Sequence, residues 1–70
     1  MPPGKKTIYY KNFQIDIDPE SLANGKWRPQ WQIWFTDEAM RFSVEEQFAS
    51  SEEASEYSEK SAKEYLDKTA

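Results

Sequence analysis

The chain has 70 residues, enough for one hydrophobic core but not for two. It contains neither Cys nor His, which excludes disulfide reinforcement, a zinc site, and thiol or imidazole catalysis. Residues 1–41 hold six basic and five acidic side chains and residues 42–70 hold three and eight, so a near-neutral half precedes an acidic half in a chain of net charge −4.

Without disulfide or metal, reinforcement has to come from packing. Phe, Tyr and Trp make up 16% of the chain, and each such side chain can bury roughly 150–250 Å². Residues 1–6 are expected to form a disordered tail, because two prolines, a glycine and two lysines leave nothing to bury. No apolar run follows Lys5 and Lys6, so no signal peptide is expected. No window reaches the ~20 apolar residues of a membrane span. A cytoplasmic protein with one domain over residues 7–68 is the resulting expectation.

Thr7 to Tyr10 read as a short strand of β-branched and aromatic residues. Lys11 and Asn12 stand where a two-residue hairpin turn belongs, and Asn tolerates the left-handed backbone of such turns. Phe13, Ile15 and Ile17 alternate with Gln14, Asp16 and Asp18, which predicts a half-buried strand over 13–18. Pro19 ends it, and residues 20–25 read as a connection closed by the turn dipeptide Asn24-Gly25. One long strand is predicted over 26–36, with Trp27, Pro29, Trp31, Ile33 and Phe35 on one face and Arg28, Gln30, Gln32 and Trp34 on the other. Pro29 lacks an amide hydrogen and implies an edge position or a bulge. After the polar turn at 36–39, alternation of Met40, Phe42 and Val44 predicts a strand over 40–44.

Ser50 with Glu53 three residues on matches a capping box, and Phe48 or Ala49 could pack back on the first turn. The helix is predicted over 51–67. At 100° per residue Ala54, Ser58, Ser61, Ala62 and Tyr65 share one side, with Tyr57 at its margin. Glu56/Lys60, Glu59/Lys63 and Glu64/Lys68 are spaced for i,i+4 pairs worth about 0.2–0.5 kcal/mol each. Small inward residues let the helix approach a sheet surface filled by Trp, Phe and Ile. The expected fold class is α+β: an antiparallel sheet of three to four strands (7–10, 13–18, 26–36, 40–44) packed on one C-terminal helix.

No nucleophile or phosphate-loop motif occurs, and two layers of this size leave little room for a cleft holding paired carboxylates, so no enzymatic activity and no cofactor are expected. Asp16, Asp18 and Glu20 have the spacing of part of a calcium loop but lack its central glycine and terminal bidentate Glu, so no metal site is expected and a solvated strand face accounts for them. Glu45, Glu46, Glu52, Glu53 and Glu56 gather around the start of the helix. The helix dipole accounts for Glu52 and Glu53, and a basic partner or mimicry of nucleic-acid charge is the functional alternative.

Trp34 is the most informative residue. If Trp31, Ile33 and Phe35 face the helix, Trp34 lies on the sheet face that a single helix cannot cover, beside Gln32, Gln30 and Arg28, with Tyr9 or Tyr10 joining according to register. An exposed aromatic patch marks a binding surface. Cross-strand aromatic pairing, or a sheet curled enough to bury both faces, are the structural alternatives.

Asn24-Gly25-Lys26-Trp27, the strand after it, and Phe48-Ala49-Ser50-Ser51-Glu52-Glu53-Ala54 resemble the three-stranded-sheet-plus-helix domains at the N-termini of phage-type integrases and in plant Apetala-type DNA-binding proteins. There a G-K-W strand start and an F-x-[ST]-x-E-E-A helix start frame the sheet. The chain also resembles small bacterial proteins with an aromatic hairpin, here Tyr10-Lys11-Asn12-Phe13. The resemblance spans residues 8–66 and implies the fold. In those DNA-binding domains the sheet brings several basic residues to the major groove. Here Lys26 and Arg28 match, but Gln30, Gln32 and Trp34 follow, and a chain of net charge −4 should bind DNA poorly.

The resulting expectation is a small interaction module of bacterial or phage type, binding another protein through the helix-free sheet face. Trp34 is the anchor, Arg28, Gln30 and Gln32 are polar contacts, and Lys26 stands alongside. The same face could pair with itself in a two-fold homodimer. The alternatives are a nucleic-acid module using Lys26, Arg28 and Arg41 with aromatic stacking, and docking of the acidic helix on a basic protein.

Overall fold

A computed structural model describes residues 5–69. The first four residues of the expected tail lie outside them. Strand β1 (Lys6–Tyr10) and strand β2 (Phe13–Ile17) form an antiparallel hairpin with Tyr10 opposite Phe13. Lys11 and Asn12 make the turn with φ of 51° and 70°, the left-handed pair that matches the right-handed twist of its strands. Lys6, assigned to the tail by composition, is the first residue of β1.

The connection expected after Pro19 contains a strand of its own. Strand β3 (Glu20–Ser21) pairs with strand β4 (Trp27–Arg28) as a separate two-stranded ribbon. Its turn uses Gly25 at φ 84°, while Asn24 Oδ1 accepts the Lys26 amide at 3.0 Å. Strand β5 (Gln30–Trp34) and strand β6 (Ala39–Ser43) complete a four-stranded antiparallel sheet in the order β1-β2-β5-β6.

The single strand expected over 26–36 is therefore two strands, broken at Pro29. Proline has no N–H to continue a ladder. The chain before it pairs with β3 and the chain after it with β2 and β6. Pro29 is buried at the junction, where its carbonyl accepts the Val44 amide. The ribbon is tied to the chain leading into the helix by reciprocal bonds of 2.8 Å between Trp27 and Phe48.

Helix α1 (Ser51–Thr69) lies across one face of the sheet. Ser50 Oγ accepts the Glu53 amide at 3.2 Å, the N-cap bond that Ser50 and Glu53 predict. The buried stripe is Ser51, Ala54, Ser55, Ser58, Ala62 and Leu66. Ser61 and Tyr65, expected inside, are only partly covered, and Leu66 takes the central place at the C-terminal end. Ile15, Ile17 and Ile33 are fully buried beneath it, with Trp31 stacked on Phe42 at 5.6 Å and Phe42 against Tyr65 at 5.0 Å. Small helix residues over large sheet residues make this layer. The Ser58 hydroxyl is satisfied by the Ala54 carbonyl at 2.9 Å.

Of the three expected i,i+4 pairs, Glu59–Lys63 closes at 3.5 Å, and Glu59 also takes Lys6 at 3.0 Å. Near the end of the helix Asp67 accepts the Tyr10 hydroxyl and the Lys11 ammonium, both at 2.9 Å. The hairpin and the helix are thus clamped at both ends of β1. No helix among the described residues is long and apolar enough to cross a membrane.

Candidate functional site: the helix-free sheet face

Residues directly opposite one another on paired strands share a face. The register therefore sets two rows across the uncovered side: Tyr9, Gln14, Trp34 and Ala39 in one, and Thr7, Asp16, Gln32 and Arg41 in the next. Trp34 is 41% exposed and Tyr9 72%. Tyr10, one residue on, points to the helix side and is spent on Asp67. Alternation along β1 decides between the two tyrosines.

Asp16 organises this face. One of its carboxylate oxygens accepts the Trp34 indole N–H at 2.8 Å, and the other accepts the Thr7 hydroxyl at 2.9 Å and the Gln14 amide at 3.1 Å. Partial burial works to raise the Asp16 pKa. The bonds from Trp34, Gln14 and Thr7, with the nearby Lys5 charge, outweigh it and hold the carboxyl below its ordinary value. Across the row Arg41 Nε donates to Gln32 Oε1 at 2.9 Å. An open groove of about 600 Å³ runs over the face, lined in part by Gln14, Asp16, Asp18, Gln30, Gln32 and Arg41.

Of the residues singled out by sequence, Trp34, Gln30 and Gln32 share this face, with both glutamines lining the groove. Arg28 and Lys26 sit apart on the ribbon. The Arg28 guanidinium is paired with Glu20, its ribbon partner, and Lys26 is exposed beside the ribbon turn. Pro29 separates them from the sheet, which strand alternation alone does not register. The five acidic residues Glu45, Glu46, Glu52, Glu53 and Glu56 are all exposed. Glu52 and Glu56 border a second hollow of about 260 Å³ with Lys5, Lys6 and Ser55.

Asp16, expected on a solvated strand face, is instead a hydrogen-bonding centre, and Thr7 and Gln14 join it with no expectation from sequence alone. The signal was present, because counting back from the Lys11-Asn12 turn places Thr7 opposite Asp16. No cluster of three or more Asp, Glu, Cys or His side chains able to hold a metal ion occurs among the described residues.

The fold defines a class, a two-layer α+β domain whose sheet is covered by one helix and open on its other face. No protein-family model, curated protein or solved structure matches the chain.

Proposed function

We propose that this chain is a non-enzymatic interaction module that binds another protein through the helix-free sheet face, with Trp34 as anchor and Gln30 and Gln32 as polar contacts. The observation that carries this reading is the Trp34–Asp16 bond: a large aromatic stands partly exposed on a polar face, its indole held in one orientation at 2.8 Å. An anchor already held in place loses little conformational freedom on binding, and aromatic anchors among polar neighbours dominate interface energetics. Tyr9 extends the same row. Asp16 and Asp18 line the groove together with Lys5, Lys6 and Arg41, a mixed polar lining that suits a protein partner carrying both hydrogen-bond donors and acceptors. Arg28 and Lys26, on the ribbon, take no part.

The test compares proteins retained by the immobilised wild type, by Trp34→Ala, and by a Glu45→Lys/Glu46→Lys variant. The expected result is a partner held by the wild type and the lysine variant but lost with Trp34→Ala. Retention by Trp34→Ala with loss in the lysine variant would move the site to the acidic surface. Quenching of Trp fluorescence by a single-stranded oligonucleotide, reversed by salt, would replace the reading with nucleic-acid binding.

A further inference from the structure

The sheet has two open edges, β1 and β6, and hydrogen-bond phase shows which backbone groups each presents. Antiparallel pairs alternate between bonded and non-bonded partners. Phe35 N donates to Glu38 O and Val44 N to Pro29 O, so Met40 and Phe42 bond inward to β5 and the N–H and C=O groups of Ala39, Arg41 and Ser43 point outward. Asp18 N donates to Gln30 O, which turns Gln14 and Asp16 toward β5 and leaves Ile15 and Ile17 to bond β1. Thr7 and Tyr9 then point outward at the opposite edge.

The two edges carry opposite charge. β1 begins with Lys6 and is flanked by Lys5 and Lys11; Lys6 and Lys11 are held by Glu59 and Asp67, and Lys5 makes no ion pair among the described residues. β6 is flanked by Asp37, Glu38, Glu45 and Glu46. Two of the large apolar side chains left exposed, Tyr9 and Met40, belong to these edges.

We propose that copies of this chain associate head to tail, the β1 edge of one adding to the β6 edge of the next to continue the antiparallel sheet. The occupant is a second copy because the two edges are opposite in charge and their outward groups are in phase, whereas the fully overlapped self-pairs set like charges together. Pairing β6 with its own kind about Arg41 sets Arg41 against Arg41 and Asp37 against Glu45. Pairing β1 with its own kind about Ile8 sets Lys5 against Lys11. The mixed pair has no such conflict. Its outward groups meet when Arg41 faces Tyr9 and Ser43 faces Thr7 of the next copy. The same register puts Glu45 opposite Lys5, and on the helix side sets Met40 against Tyr10 and Phe42 against Ile8. Cation and ring, ion pair and apolar pairs are cross-strand neighbours that stabilise a sheet. A heterologous contact of this kind does not close at a dimer unless its rotation closes a ring. It uses the sheet edges and leaves Trp34 exposed on the open face, sharing with the function proposed above the edge residues Tyr9 and Arg41.

Sedimentation velocity at low salt tests it. Wild type is expected to grow past dimer with concentration and to dissociate with added salt. Thr7→Pro removes an outward donor of β1 and Ser43→Pro one of β6, positions where an edge strand tolerates proline. Each variant alone should remain monomeric, while an equimolar mixture should form a dimer and stop, since each supplies the edge the other lacks. If a proline variant fails to fold by circular dichroism, Lys5→Glu and Glu45→Lys carry the test: each alone weakens association, and the two in one chain restore it. A monomer at every concentration, or self-association by either single proline variant, would overturn the proposal.

Discussion

Asp16 and Trp34 report on each other. The carboxylate is held below its ordinary pKa by bonds that include the Trp34 indole N–H. The sign follows from linkage: a carboxyl depressed in the folded state stabilises the fold above its unfolded pKa, and that contribution is lost as pH falls through the folded one. An NMR titration should therefore move the Trp34 indole proton with a midpoint below the ordinary aspartate range, and Asp16→Asn should abolish that step. Trp34→Ala removes a charge-assisted bond at a partly exposed site and is expected to cost about 1–2 kcal/mol in urea denaturation, against about 3–5 kcal/mol for Trp31→Ala in the core. A loss at Trp34 as large as at Trp31 would make it a core residue and remove the anchor.

The elements owe their ends to single residues. Asn12 turns the β1–β2 hairpin at φ 70°, a conformation that a β-branched residue adopts only under strain. Asn12→Val should lower stability by about 1–3 kcal/mol and leave the helix intact. Ser50→Ala removes the N-cap bond to Glu53 and should cost about 1 kcal/mol, read from the shift of the thermal transition. Both features were legible in the sequence, because turn and cap chemistry are local. The β3–β4 ribbon was not: two-residue strands carry no alternation to detect, and Trp27 is placed by its bonds to Phe48, far along the chain.

At the scale of the molecule, ionised contacts bind the hairpin to the helix. Glu59 is lowered by its bond to Lys6, and Asp67 by its bonds to Lys11 and Tyr10. Tyr10 and Lys11 are both raised, first of all by Asp67. Carboxyls lowered on folding lose their contribution as pH falls, and groups raised on folding lose theirs as pH rises. Denaturant midpoints should therefore hold a plateau between about pH 5 and pH 9 and fall on both sides. Asp67→Asn should weaken both limbs, because that one side chain serves both.

What the sequence determined by itself is what short range determines. Strand faces came from period-two alternation, the hairpin from Lys11-Asn12, the helix start from Ser50 and Glu53, and the α+β class from their order along the chain. Tertiary structure decided what depends on partners distant in sequence. Pro29 divides one apparent strand between two sheets, which takes Arg28 and Lys26 away from Trp34. Strand pairing brings Asp16 beside Trp34, which lies eighteen residues away. Alternation assigns a side chain to a face, but which neighbours it meets there is set by register, and register is fixed only when separate strands pair.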